Sequence, residues 1–161
     1  MIVVLFGVAG SGKTTISRLL AQELGWKFYE ADELHPKSNV KKMRQGIALT
    51  DMDRRPWLEG LRELLGESIA RKENVILACS ALKEKYREYL QISDEIKWIG
   101  LKGEYQLIAD RLQQRHGHFM NPILLRSQFE ILEEPKEDAV VVDIDATPTK
   151  TVQTIREQLG V

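Results

Sequence analysis

The chain has 161 residues, 43% hydrophobic and 29% charged, which is enough for one ordinary globular core and too short for a second. Its 23 basic side chains nearly cancel 24 acidic ones, so a net charge of −1 supplies no bulk field for nucleic acid or an anionic membrane, and any anion must be bound by a local cluster. A single cysteine excludes a disulfide framework and a multi-cysteine metal cage, and the opening apolar run breaks at Gly7, too soon for a signal-peptide core or a membrane span; both point to the cytoplasm.

Ile2–Phe6 is a continuous apolar run ended by glycine, the pattern of a strand buried on both faces. Ile16, Leu19, Leu20 and Leu24 then share one helical stripe, with Gly25 placed to cap its end. Residues 26–29 read as a second short strand. From 32 to 53 the chain is polar, punctuated by Pro36 and Gly46, with room for one short helix after Ser38; this stretch is expected to stay out of the core. Pro56 suits the first turn of a helix striped by Leu58, Leu61, Leu65 and Ile69. Residues 74–79 read as a third strand, 81–90 as a helix and 96–101 as a fourth strand. Tyr105, Ile108 and Leu112 stripe a helix over 104–115, residues 115–122 form a Gly, His and Pro loop, and 124–132 is helical again. Residues 139–144 are a fifth apolar strand, and Val152, Ile155 and Leu159 stripe a terminal helix ended by Gly160. Strands alternating with helices imply parallel pairing through right-handed crossovers. The expected architecture is a three-layer α/β domain over residues 1–161: a five-stranded parallel sheet with helices on both faces and a small lid.

Gly7-Val8-Ala9-Gly10-Ser11-Gly12-Lys13-Thr14 matches the G-x-x-x-x-G-K-[ST] phosphate-loop pattern, directly after a predicted strand and before a predicted helix. Its glycines let successive backbone N–H groups curl around a phosphate, and the helix starting near Lys13 adds its positive end. Lys13 can reach the β and γ phosphates of ATP, and the Thr14 hydroxyl can ligate Mg²⁺. A guanine-specific Asn-Lys-x-Asp stretch is missing. The third strand ends in Cys79-Ser80 without an acid, which leaves the cation to Thr14, the phosphates, water near Ser80 and an acidic residue of the second strand.

Glu30-Ala31-Asp32-Glu33-Leu34-His35-Pro36 lies just past the second strand, so its carboxylates project from the carboxyl edge of the sheet, where open α/β folds bind ligands. A carboxylate there can take the proton of an acceptor hydroxyl or orient it for in-line attack, and Asp32 is assigned that role. His35 can hydrogen-bond a polyol or serve only the turn before Pro36. In Asp51-Met52-Asp53-Arg54-Arg55-Pro56-Trp57, Arg54 or Arg55 can grip a carboxylate, whereas Trp57 is expected in the core. Lys83, Tyr86 and Arg87 follow the third strand at the same edge. Arg111 and Arg115 share one helix face and can both meet a nucleotide, and a lid over 115–130 would exclude water. His116 and His118 have no cysteine or carboxylate at metal-ligand spacing and are read as loop hydrogen-bonding residues.

These blocks resemble the gluconokinase family of small phosphate-loop carbohydrate kinases. The resemblance spans nearly the whole chain. It is carried by Gly7 to Thr14, Asp32 to Pro36, Asn39 with Lys42-Met43, Leu49 to Trp57, Cys79 to Lys83 with Tyr86-Arg87, Leu101 to Gly103, residues 115–119, Ser127-Gln128-Phe129 and residues 141–145. It implies a nucleoside monophosphate kinase-like fold, a homodimer, and gluconate and ATP as substrates, with an insertion over about 32–57 building the acceptor site. It implies Asp32 at the gluconate 6-hydroxyl, with His35, Arg54, Lys83 and Arg87 around the polyol and carboxylate. Arg111 and Arg115 fall on the nucleotide and lid side. Relatives commonly carry Asp-Gly-Asp where this chain has Glu30-Ala31-Asp32; the second acid is kept, so Asp32 remains the base and Glu30 is left without a role.

Overall fold

The computed structural model describes residues 1–114, 123–137 and 139–161. Among them, strands β1 (Ile2–Phe6), β2 (Lys27–Glu30), β3 (Val75–Cys79), β4 (Ile96–Lys102) and β5 (Val140–Asp143) form one sheet in the order β2-β3-β1-β4-β5. Every pairing is parallel. The helices are α1 (Lys13–Leu24), α2 (Lys37–Arg44), α3 (Asp51–Ala70), α4 (Glu84–Leu90), α5 (Tyr105–Gln113), α6 (Leu124–Ile131) and α7 (Pro148–Leu159), with a 3₁₀ turn at Ala31–Leu34. None of the described helices is long and apolar enough to cross a membrane.

The apolar run of β1 is explained by two cores, one on each face. Val3 and Leu5 pack with Ile16 and Leu20 of α1, Ile108 of α5, Leu125 of α6 and Ile155 of α7. Ile2, Val4 and Phe6 face the other way, onto Trp57, Leu61 and Leu65 of α3 and Leu90 of α4. Alternation along a strand sends neighbouring side chains to opposite faces, so a strand with helices on both sides must be apolar throughout. In register, Phe6 lies beside Cys79 and Gly100, and Glu30 beside Ala78. The segments following β1, β2 and β3 therefore leave the sheet at one edge.

Three local expectations are corrected. Helix α3 starts at Asp51 rather than near Pro56, because Thr50 and Asp53 form a reciprocal cap: Asp53 N–H donates to Thr50 Oγ1 (3.1 Å) and Thr50 N–H to Asp53 Oδ2 (2.9 Å). Pro56 is thus interior to the helix and has no N–H to donate to the Met52 carbonyl four residues before it. The polar stretch 32–53 does contribute to a core: Asn39, Met43 and Leu49 are buried, and Met43 and Leu49 pack on Leu124 of α6. Helix α4 starts at Glu84, since Ala81 and Leu82 are buried in the connection, Ala81 with a φ of 32°.

Candidate active site

The phosphate loop turns between β1 and α1 on left-handed glycines. Gly10 and Gly12 have φ values of 78° and 92°, and a Cβ on Gly10 would meet the Ile108 carbonyl at 3.3 Å. Lys13 Nζ donates to the Gly7 and Val8 carbonyls, both at 2.9 Å, which draws the ammonium over the start of the loop. The Ala9 N–H donates to Gln128 Oε1 of α6 at 2.7 Å. Beside the loop, a cavity of about 400 Å³ is bounded by Gly10, Gly12, Thr15, Arg111, Ile144 and Pro148, a volume suited to a nucleoside. Arg111 is held there by donating to the Ile144 carbonyl at 3.2 Å.

A second cavity, of about 50 Å³, opens on the other side of the loop. Lys13, Thr14, Asp32, His35, Arg54 and Gln128 line it, together with Ser80. Thr14 Oγ1 donates to Glu30 Oε2 at 2.5 Å, and Glu30 Oε1 accepts from the Asp32 N–H at 3.4 Å. Glu30 therefore has a place that its sequence context did not assign, tying the end of β2 to the phosphate loop and capping the turn that carries Asp32. Among the described residues no three His, Cys, Asp or Glu side chains gather into a metal site. The donors present are oxygens, the Thr14 hydroxyl and the Glu30 carboxylate. Such a set fits Mg²⁺, a hard cation that keeps water and phosphate oxygens as its remaining ligands.

His35 stacks on Trp57, with ring centroids 4.4 Å apart and 11° between planes. Burial, reinforced by the Arg54 guanidinium, pushes its pKa down to about 4, so the ring is neutral near pH 7. Asn39 donates from Nδ2 to the Asp53 carbonyl (2.8 Å) and lies 3.3 Å from His35 Nδ1. With Nδ1 accepting, the proton sits on Nε2, making His35 an uncharged donor. Trp57 is in the core as expected, and it also donates to the Ala31 carbonyl at 2.7 Å, pinning the turn that holds Asp32. Arg54 donates to the Leu49 carbonyl (2.8 Å) and to Tyr86 Oη (3.3 Å), with its guanidinium 5.6 Å over the Tyr86 ring. Tyr86 in turn donates to Asp51, which also pairs with Lys83 (3.0 Å) and Lys85 (2.5 Å). Those three hydrogen bonds hold the Asp51 carboxyl far below the usual carboxylate range. Of the two candidate arginines, Arg54 lines the cavity; Arg55 is 79% exposed at its side chain and pairs with Glu59.

The structure does not bring Lys83 and Arg87 to this cavity. Lys83 is engaged with Asp51. Arg87 is 4% exposed, with its guanidinium 4.7 Å over the Phe6 ring. It donates to the carbonyls of Ala81 (2.7 Å), Leu82 (3.1 Å) and Glu133 (2.8 Å) and to Glu84 (2.9 Å). Buried donors of this kind must be paired, and they clasp the connection after β3 to the segment after α6. Sequence position put both residues at the right edge but carried no information on which way each side chain turns. Arg115, His116 and His118, and the 115–122 part of the expected lid, lie outside the described residues; its remainder is largely α6. Gln128 and Asn39 were visible only as parts of a family pattern.

The shikimate kinase family model matches residues 9–159 of the chain. A probable gluconokinase from Rattus norvegicus is 41% identical, over 98% of this chain and 97% of its own length. A Janibacter sugar kinase superposes with a TM-score of 0.92 at 39% identity, over 99% of this chain and 94% of that one. A gluconokinase from Sinorhizobium meliloti superposes with a TM-score of 0.81 at 38% identity, over 98% and 94% of the two chains. A shikimate kinase from Aquifex aeolicus, at 20% identity and a TM-score of 0.63, is similar in fold alone.

Proposed function

The chain belongs to the gluconokinase family, among the kinases that the shikimate kinase model covers, and from that premise we propose that it transfers the γ-phosphoryl group of ATP to the 6-hydroxyl of D-gluconate, giving 6-phospho-D-gluconate and ADP. The observation that carries this reading is the meeting of Lys13 and Thr14 of the phosphate loop with Asp32, His35 and Arg54 around one cavity.

Asp32 orients the 6-hydroxyl and accepts its proton as the oxygen attacks in line. Lys13 leaves its loop carbonyls for the β and γ phosphates, where its charge is worth most as negative charge spreads in the transition state. The loop amides hold the phosphates, and Arg111, joined in sequence by Arg115, is assigned to the nucleotide. His35 Nε2–H donates to the polyol, and Arg54 receives the carboxylate with its planar fork. With its O–H donating a hydrogen bond to Glu30, the Thr14 oxygen keeps its lone pairs for a cation, so Thr14 and Glu30 would hold Mg²⁺, which would supply positive charge beside the phosphates. The proposal extends to a homodimer in the cytoplasm, in keeping with the family and with a single, buried cysteine.

A coupled ADP-release assay over gluconate, shikimate, glycerate and nucleoside monophosphates tests it. Gluconate is expected to turn over by far the fastest, and no turnover with gluconate overturns the assignment. Lys13→Ala and Asp32→Asn are each expected to lower kcat at least ~100-fold with unchanged thermal melting. Near-normal turnover by Asp32→Asn would remove that residue from the mechanism.

A further inference from the structure

Helix α6 makes a hydrogen bond to the phosphate loop, across 119 residues of sequence, through Gln128. Gln128, half-buried, sets its Oε1 2.7 Å from the Ala9 amide nitrogen. A backbone N–H can only donate, so the oxygen end of the amide must face it, and the −NH₂ end is directed away from Ala9. The same side chain lines the cavity shared by Asp32, His35 and Arg54. The helix carrying it is seated on both sides of the site: Leu124 packs on Met43 and Leu49 of the acceptor segment, and Leu125 lies in the sheet core with Val8 and Ala9.

We propose that Gln128 is an acceptor-binding residue, its amide held in one orientation by the phosphate loop so that Nε2 donates to an oxygen of the acceptor. The inference rests on the reading that this cavity takes a polyhydroxy acid. Such an acceptor is rich in oxygen lone pairs. Asp32 supplies an acceptor for the reacting hydroxyl, while a neutral amide adds a donor without adding negative charge beside the γ-phosphate. Because the Ala9 amide belongs to the loop that wraps the phosphates, this hydrogen bond also sets the acceptor's distance from the phosphoryl group, a term to which transfer rates are sensitive.

Two variants separate binding from mere anchoring. Gln128→Glu keeps an oxygen for the Ala9 N–H but replaces the donor with an anionic oxygen, and Gln128→Ala removes both. Wild-type turnover is measured first on the acceptor panel. If gluconate is inert while another hydroxy acid is phosphorylated, the gluconate reading falls and the comparison is made with that acceptor. For both variants the acceptor KM is expected to rise about tenfold or more, with the ATP dissociation constant within about threefold of wild type and thermal melting little changed. A wild-type acceptor KM in Gln128→Glu would show that the side chain only anchors the loop and would overturn the proposal. So would ATP affinity falling in step with acceptor affinity in both variants.

Discussion

His35 shows how a single side chain is set by its surroundings. In the unfolded chain its imidazole takes up a proton near pH 6.5, whereas folded, buried on Trp57 and facing Arg54, it stays neutral down to about 4. Between those values the unfolded chain binds more protons than the folded one, so stability falls as pH falls from about 6.5 to about 4, by roughly 2 to 3 kcal/mol from this group. Asp53 acts lower. Its hydrogen bonds with Thr50 and Lys42 hold its pKa at about 2, so its contribution is lost only below its ordinary value of 3.8. Thermal melts at pH 7, 5.5 and 4.5 are expected to show a falling Tm, and His35→Gln is expected to flatten that fall. An equal fall in both proteins would contradict a neutral His35. At this scale, Lys13 and Thr14 were legible because a phosphate loop is local backbone chemistry. Glu30 was legible only as an acidic residue of the second strand available to a cation, and Gln128 only within a family pattern, because each takes its place from a hydrogen bond to a residue distant in sequence.

Strands β1 and β3 were legible as continuous apolar runs, since burial on both faces demands apolar side chains at every position. Helix starts were less so. Pro56 was the more obvious signal at α3, yet the Thr50–Asp53 cap satisfies the first N–H groups and begins the helix earlier. That start has a consequence for the site, because it places Arg54 in the first turn, within reach of the Leu49 carbonyl and Tyr86. Thr50→Ala is expected to cost about 1 kcal/mol in urea unfolding and to raise the gluconate KM more than the ATP KM. Equal effects on both KM values would mean that the cap stabilises the helix without setting Arg54. The burial of Met43 and Leu49 escaped the sequence reading for a related reason. Two apolar residues in a charged stretch carry no periodic signal, and the surface that covers them, Leu124, comes from α6.

Across the molecule, the order β2-β3-β1-β4-β5 brings the segments after β1, β2 and β3 to one edge, and both cavities open beside the phosphate loop there. Charge that sums to −1 is therefore unevenly distributed, with Lys13, Arg54 and Arg111 lining the spaces assigned to anions. A ligand bound only by the folded chain stabilises the whole of it. At 100 times its dissociation constant, a non-hydrolysable ATP analogue is expected to add about 2.7 kcal/mol, or roughly 5 to 10 °C in Tm for a chain of this size. Lys13→Ala is expected to lose most of that shift in a thermal-shift titration, and a full shift in that variant would contradict the place given to Lys13. The sequence by itself determined the sheet, the phosphate loop and the edge at which chemistry occurs, because these follow from periodicity and from backbone geometry over a few consecutive residues. Only the tertiary structure decided which edge residues turn inward. Arg54 and Gln128 do so, while Arg87 and Lys83 are taken up by the Glu133 carbonyl and by Asp51, because a side chain's direction is set by partners that the chain brings from elsewhere.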